Sequence, residues 1–316
     1  MSKTVSWPTV TDSATSISAP RRSRVARWYH RGGPASLAFA VPLLLVFLYF
    51  SWGPIVRGVL MSFQKANLVV APQWVGLENF SYVLTDPLLP KAALNTAWFA
   101  LLALVFGFPM PIFLAVFINE LRRAGWLFNV LSYMPAVVPP VAAILLWKFF
   151  YDPSGSGVFN TVLGWVGLGP FPWLNSPGMA MPAIVLEATW AGAGATAIIY
   201  LAALSTVRNE LYEAAEIDGA GIWKRVWHIT VPQLRGVILI MMLLQLIGTF
   251  QLFTEPFLFT GGGPNNATLT VMLMIYQYAF VNGDYGAATA LSMVLALFLC
   301  LLSAIYQLAT RRWGTT

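Results

Sequence analysis

Long apolar stretches alternate with short polar segments along this chain. A helix needs about twenty apolar residues to cross a bilayer. Six stretches are long enough, and they cover residues 37–56, 92–118, 124–147, 188–207, 236–254 and 285–310. The pattern therefore predicts an all-α integral membrane protein with six transmembrane helices.

Two further stretches lack charge but do not have the character of spans. Residues 153–186 are rich in glycine and proline, which favours a loop whose last residues begin the fourth helix. Residues 256–283 include TGGGPNN, and irregular backbone of this kind is not tolerated in contact with lipid. Their later part, residues 269–280, is predicted to form a short helix at the outer surface.

Composition supports a membrane protein and limits its chemistry. Of the 316 residues, 58% are hydrophobic and only 9% are charged, whereas soluble domains carry about 25% charged residues. The single cysteine rules out a disulfide within the chain, and two histidines are too few for a histidine metal cluster. No catalytic residue and no metal site is predicted.

The basic residues predict the orientation. Fourteen of the eighteen lysines and arginines fall on segments that share a side with the N-terminus, which places both termini in the cytoplasm. The net charge of +6 is then explained without a nucleic-acid partner. Residues 1–34 are predicted to be a disordered, basic cytoplasmic tail near anionic lipid, and residues 35–316 the transmembrane domain. A cleaved signal peptide is disfavoured, because the first apolar stretch is too long.

A polar island, EAAEIDGAGIWKRVWHITVP at residues 213–232, interrupts the apolar pattern. Good helix formers lead to a break at residues 218–221, where Gly219 is expected to adopt a positive φ. Residues 223–229 are predicted to form a second short helix that Pro232 ends. Glu210, Glu213 and Glu216 recur every three residues, which indicates an acidic strip on the first helix.

The spacing of this island resembles the EAA loop in the membrane subunits of ATP-binding cassette (ABC) importers. LYEAAEIDGAG and IWKRVWHITVP are similar to the carbohydrate-importing branch, the maltose-type permeases, although Val231 and Arg208 depart from the usual pattern. The resemblance implies the type I (MetI-like) permease fold and a cytoplasmic coupling loop, residues 208–235, that docks on an ATPase subunit. The residues implied in that contact are Glu213, Ala214, Ala215, Asp218, Gly219, Ala220, Ile229 and Pro232.

The same resemblance implies a substrate path. The fifth span runs into GGGP as in maltose-type permeases, which places sugar contacts at Gln245, Thr249 and Leu252, beside Phe250 and Gln251. TWAGAGAT in the fourth span resembles the other contacting stretch and adds Thr189, Trp190, Gly192 and Ala195. Amides, hydroxyls and aromatic rings suit a polyhydroxylated ligand. The alternative, that these polar side chains bridge helices within the bundle, stays open.

The family further implies an ATP-driven importer of a sugar, predicted to be a di- or oligosaccharide. Its partners would be a second homologous permease subunit, two ATP-binding subunits carrying ATP and Mg, an extracytoplasmic solute-binding protein and membrane lipid. This chain has no phosphate-binding GxxxxGK[ST] motif, so it is not expected to be an enzyme. A stand-alone secondary sugar transporter is the alternative, but Glu120, Glu187 and Glu255 lie near the predicted span ends rather than at mid-depth.

Overall fold

The computed structural model describes residues 33–67, 69–121 and 125–311, and they are mostly helical. The strands β1 and β2 are Gln64–Lys65 and Gln73–Trp74, paired antiparallel. The helices are α1 Gly33–Phe47, α2 Gly53–Ser62, α3 Glu78–Leu84, α4 Leu89–Leu102, α5 Pro109–Glu120, α6 Gly125–Val137, α7 Pro140–Phe150, α8 Val158–Gly164, α9 Pro177–Leu204, α10 Asn209–Ile217, α11 Ile222–Arg225, α12 Val231–Phe250, α13 Thr254–Thr260, α14 Val271–Tyr276 and α15 Tyr285–Thr310.

Single π-helical turns and one 3₁₀ turn complete the helical structure. The π turns are Leu48–Trp52, Ala103–Gly107, Val226–Thr230 and Gln277–Val281, and the 3₁₀ turn is Trp173–Asn175. Three π turns join neighbouring helices into longer ones. The prediction of a tail at residues 1–34 lies outside the described residues, except that helix α1 already begins at Gly33.

The chain divides into two compact units at residues 57 and 58. In the first, α1 and the following π turn carry large apolar side chains that are exposed along the helix, such as Phe39 and Leu43. The second unit holds the helices from α3 to α15 and three buried clusters. One cluster joins α3, α4, α14 and α15, another α4, α7, α9 and α13, and the third α5, α9 and α12.

Five helices in the described part of the chain are long and apolar enough to cross a membrane. They are Ser36–Ser62, Leu89–Glu120, Pro177–Leu204, Ile222–Phe250 and Tyr285–Thr310. The pair α6 and α7 makes a sixth if it counts as one span. The predicted all-α membrane architecture is thereby confirmed, and the fourth helix begins at Pro177, within the stretch expected to supply its first residues.

The third span is not the continuous helix that its apolar run predicts. Helices α6 and α7 meet at an angle of 97°. The cause is Pro139-Pro140: Pro139 has φ −55° and ψ 131°, an extended conformation imposed because a following proline disfavours helical geometry. The second proline then starts α7, where its missing N–H costs nothing.

The prediction that Pro232 separates the coupling loop from the fifth span is wrong. Residues Ile222–Phe250 form one helix of 29 residues. Within it the π turn Val226–Thr230 ends with the N–H of Val231 bonded to the carbonyl of Val226. Pro232 therefore falls in the first turn of α12, after the change of bonding pattern, where a residue without an N–H is tolerated.

The short helix expected within residues 269–280 is present as α14 with its π turn. Thr270 caps it by accepting a hydrogen bond from the N–H of Leu273 at 3.2 Å. Its apolar side chains are buried against α15 and α3. The helix is thus part of the core, while its location at the outer surface stays a prediction.

Candidate functional site

A cavity of about 240 Å³ lies where the Leu89–Glu120, Pro177–Leu204 and Ile222–Phe250 helices meet. Its polar lining comes from Thr189, Thr196, Gln245 and Thr249. The other lining residues are Phe99, Ala103, Gly107, Pro111, Val185, Ala188, Gly192, Ala193, Gly248 and Leu252. Hydroxyl and amide groups can donate and accept hydrogen bonds, so the wall suits a neutral polar ligand rather than an ion.

At Gly107 the backbone of the Leu89–Glu120 helix lies close to side chains of the two other cavity helices. A Cβ built on Gly107 would lie 3.1 Å from the hydroxyl oxygen of Thr189 and 3.5 Å from Nε2 of Gln245. Gln245 also donates from Nε2 to the carbonyl of Ala103 at 3.5 Å. The π turn Ala103–Gly107 thus brings its backbone against two polar side chains of the cavity.

The glycines of the fourth span divide between packing and the cavity. A Cβ at Gly194 would overlap the carbonyl oxygen of Ser132 in α6, so this glycine permits close helix packing. Gly192 lines the cavity, and a Cβ there would meet nothing within 4 Å. Gly248 on α12 also lines the cavity with the same open space.

The cavity brings together five of the nine predicted path residues: Gln245, Thr249, Leu252, Thr189 and Gly192. The other four lie outside its lining. Trp190 packs on Trp147, with ring centroids 5.4 Å apart, and lines an adjoining apolar cavity of about 810 Å³. Phe250 packs on Phe298, Gln251 is exposed and Ala195 is half-buried.

The coupling loop forms a helix, a turn and the start of the long fifth-span helix. Gly219 has φ +71°, as expected for the residue that ends α10. Glu213, Ala214 and Asp218 are exposed, and Ala215 and Ala220 are half-buried. Ile229 and Pro232 lie on the long helix, half-buried and exposed respectively.

Large apolar side chains surround this turn and are uncovered. Ile217 is 87% exposed, and Ile222, Trp223 and Trp227 are also exposed. Exposed apolar patches of this kind mark sites of contact with other proteins or with membranes. The predicted acidic strip needs a correction, because Glu216 is already paired with Arg225 of the same chain; Glu210 and Glu213 are exposed.

Comparison with known proteins identifies the class. The family model described as "Binding-protein-dependent transport system inner membrane component" matches residues 107–315. The chain belongs to this family. It is thus a permease, the multi-pass membrane component of an ABC importer, and such components are not themselves enzymes. The stand-alone secondary transporter is not favoured.

Curated relatives match nearly the whole permease. It is 34% identical over 297 residues to the lactose transport system permease protein LacF of Rhizobium radiobacter, covering 92% of this chain and 97% of LacF. It is 30% identical over 285 residues to the arabinooligosaccharides transport system permease protein AraP of Halalkalibacterium halodurans, with 90% of each chain covered.

A solved structure confirms the type I permease fold. The permease superposes on a chain of the bacterial alginate ABC transporter, solved in complex with an alginate pentasaccharide-bound periplasmic protein. The TM-score is 0.81 at 27% identity, and the alignment covers 93% of the permease and 99% of that chain.

The sequence-based site prediction missed Gly107, Thr196 and Gly248 of the permease. Gly107 belongs to GFPMP, in which two prolines follow the glycine closely. Prolines interrupt regular helical hydrogen bonding, so this motif could have indicated irregular backbone within the second span. Nothing in the local sequence indicates that this backbone faces Thr189 and Gln245, which lie far along the chain.

Glu187 was predicted near the end of a span, and the structure corrects this. Helix α9 begins ten residues before it at Pro177, and Glu187 is only 3% exposed. A carboxyl side chain is thus buried part-way along a long apolar helix. This weakens the argument against a secondary transporter that was based on the absence of acidic residues within the spans. Among the residues described, no group of three His, Cys, Asp or Glu side chains could hold a metal ion.

Proposed function

We propose that this permease forms, together with a second homologous permease subunit, the path by which an ATP-driven importer moves a sugar across the cell membrane. The observation that carries the proposal is the cavity lined by Thr189, Gln245 and Thr249, where three long helices of the chain meet. Uncharged donors and acceptors match the hydroxyl groups of a neutral sugar, which has no charge to be neutralised.

The substrate is proposed to be a di- or oligosaccharide. The relatives named above are described as transporting lactose and arabinooligosaccharides, and the structural neighbour as a transporter of alginate. A cavity of about 240 Å³ is small for such a ligand, because ligand sites for small molecules usually span about 300–1,000 Å³. The partner permease would supply the remaining wall.

The coupling loop is proposed to lie in the cytoplasm and to dock on one of two ATPase subunits, which bind ATP and Mg. Its exposed Ile217, Ile222 and Trp223 supply an apolar contact, and exposed Glu213 can pair with basic residues of the partner. An extracytoplasmic solute-binding protein would deliver the sugar. ATP-driven closure of the ATPase pair then pulls on the loop and turns the cavity outward.

Replacement of Gln245 tests the substrate path. Gln245→Leu keeps the side-chain size but removes the amide, at a cost of about 0.5–1.5 kcal/mol for one hydrogen bond. We expect sugar uptake by the reconstituted importer to fall about twofold to tenfold. Gln251→Leu is the matched control, since Gln251 is exposed and outside the cavity lining.

Control measurements accompany this comparison. The amount of ATPase subunits that co-purifies with each variant must equal the amount that co-purifies with the wild type, so that a loss of uptake is not caused by a loss of assembly. Equal uptake by the wild type and Gln245→Leu, or an equal loss in both variants, would show that the amide does not contact the sugar. Uptake without ATP or ATPase subunits would refute the importer itself.

A further inference from the structure

A half-buried cation lies at the junction of the coupling loop and two cavity helices. The side chain of Arg225 is 11% exposed. Its Nη2 donates to Oε2 of Glu120 at 3.3 Å, and its Nη1 donates to Oε1 of Glu216. We call these three residues the arginine clasp. Its members come from α11, α5 and α10, so a single guanidinium on one helical element contacts two others.

Its low exposure makes the arginine dependent on nearby carboxylates. A guanidinium removed from water needs opposite charge and hydrogen bonds close by, because its desolvation is otherwise uncompensated. The acids are more accessible, with side chains 33% exposed for Glu120 and 50% exposed for Glu216. Removing one acid therefore leaves the arginine paired with the other acid rather than without a partner.

The two ion pairs differ in what they join. Glu216 and Arg225 lie on either side of the turn at Gly219, within a segment already joined by the covalent chain. The hydroxyl groups of Tyr212 and Thr230, 3.0 Å apart, hold α10 to the long helix a second time. Glu120, in contrast, is 105 residues before Arg225 and ends a different helix.

Both helices that the clasp reaches continue to the cavity. Gly107 lies 13 residues before Glu120 on the Leu89–Glu120 helix, about 20 Å away at 1.5 Å per residue. Gln245 lies 20 residues after Arg225 on the Ile222–Phe250 helix, about 30 Å away. A displacement of the coupling loop can therefore reach both cavity walls along helical segments.

We propose that Arg225 is a positioning residue that makes α5 follow the coupling loop through its ion pair with Glu120. The chain connects the loop directly to α9 and α12, but α5 is attached only through non-covalent contacts. The inference rests on the proposed function, since it needs the ATPase to move the loop. The clasp would make the movements of α12 and α5 concerted, so that the cavity walls at Gln245 and Gly107 move at the same time.

The test compares Glu120→Gln with Glu216→Gln as its matched control. Each change removes one charge and keeps the side-chain shape. In reconstituted importer we expect sugar transported per ATP hydrolysed to fall roughly threefold in Glu120→Gln, the scale of one partly exposed ion pair. Glu216→Gln should stay near the wild-type ratio, because Tyr212, Thr230 and the chain itself still hold α10.

A double variant tests whether Glu120 acts through Arg225. If it does, Glu120→Gln combined with Arg225→Gln should lose no more coupling than Arg225→Gln alone, since residues in contact are not additive. If Arg225→Gln does not fold, Glu120→Asp decides in its place: it keeps the charge and should recover much of the ratio.

The possible outcomes separate the clasp from the importer function. A wild-type ratio in Glu120→Gln, or the same fall in Glu216→Gln, overturns the clasp while leaving the importer intact. The importer itself fails only if the wild-type protein moves sugar without ATPase subunits. The amount of ATPase bound and the thermal midpoint of each complex are measured alongside, so that a loss of assembly is not mistaken for uncoupling.

Discussion

Gly192 offers a direct way to fill the proposed sugar path. It lines the cavity, and a Cβ added there would meet no atom within 4 Å. Leucine adds four carbons. Taking each as about the size of a water molecule, roughly 30 Å³, the side chain would occupy on the order of 120 Å³. That is about half of the 240 Å³ cavity.

The expected effect of Gly192→Leu is lost transport in a stable protein. Glycine within a helix is less favourable than leucine by somewhat under 1 kcal/mol, and no neighbour is displaced. The sugar, however, would lose space and contact with the polar wall. Loss of two hydrogen bonds, about 1–3 kcal/mol, corresponds to roughly a fivefold to hundredfold weaker interaction.

The assay is uptake of labelled sugar into proteoliposomes that contain the complete importer, with the thermal midpoint measured on the same preparation. Gly178→Leu is the control, because Gly178 lies on the same helix, outside the cavity lining, with equally open surroundings. Full uptake in Gly192→Leu would refute a sugar path through this cavity. A lowered thermal midpoint in Gly192→Leu would show that the space around Gly192 is not open.

Three further predictions concern packing, coupling and orientation. Gly194→Ala should lower the thermal midpoint, because the added methyl overlaps the backbone of α6, whereas Gly192→Ala should not. Equal thermal midpoints in the two variants would contradict this packing. Gly219→Asp, at φ +71°, should leave the protein inserted but abolish uptake, whereas Gly221→Asp at φ −65° should be tolerated; wild-type uptake in the first would refute the coupling role. A reporter fused after Arg312 should be cytoplasmic and one inserted near Gly155 should be outside, and finding both on one side would refute the six-span model.

Local patterns were sufficient for most of the membrane spans and for much of the coupling loop. Apolar runs predicted the spans because a helix in lipid needs a fixed length of apolar residues whatever its neighbours are. The helix α10 and the positive φ of Gly219 follow from helix propensity and from the freedom of glycine at a helix end. Pro232 shows the limit, since a π turn before it allows the helix to continue.

The cavity and the clasp depend on residues distant in sequence. Gly107, Thr189 and Gln245 meet only because three helices pack together, and the side chains that face one another depend on where each helix begins, bends or contains a π turn. The 97° bend between α6 and α7 and the early start of α9 at Pro177 are such features. The pairing of Arg225 with Glu120 across 105 residues has the same origin. Helical periodicity describes one helix at a time. Which helices and side chains pack against each other is a property of the whole fold, so the cavity and the clasp were decided by the tertiary structure alone.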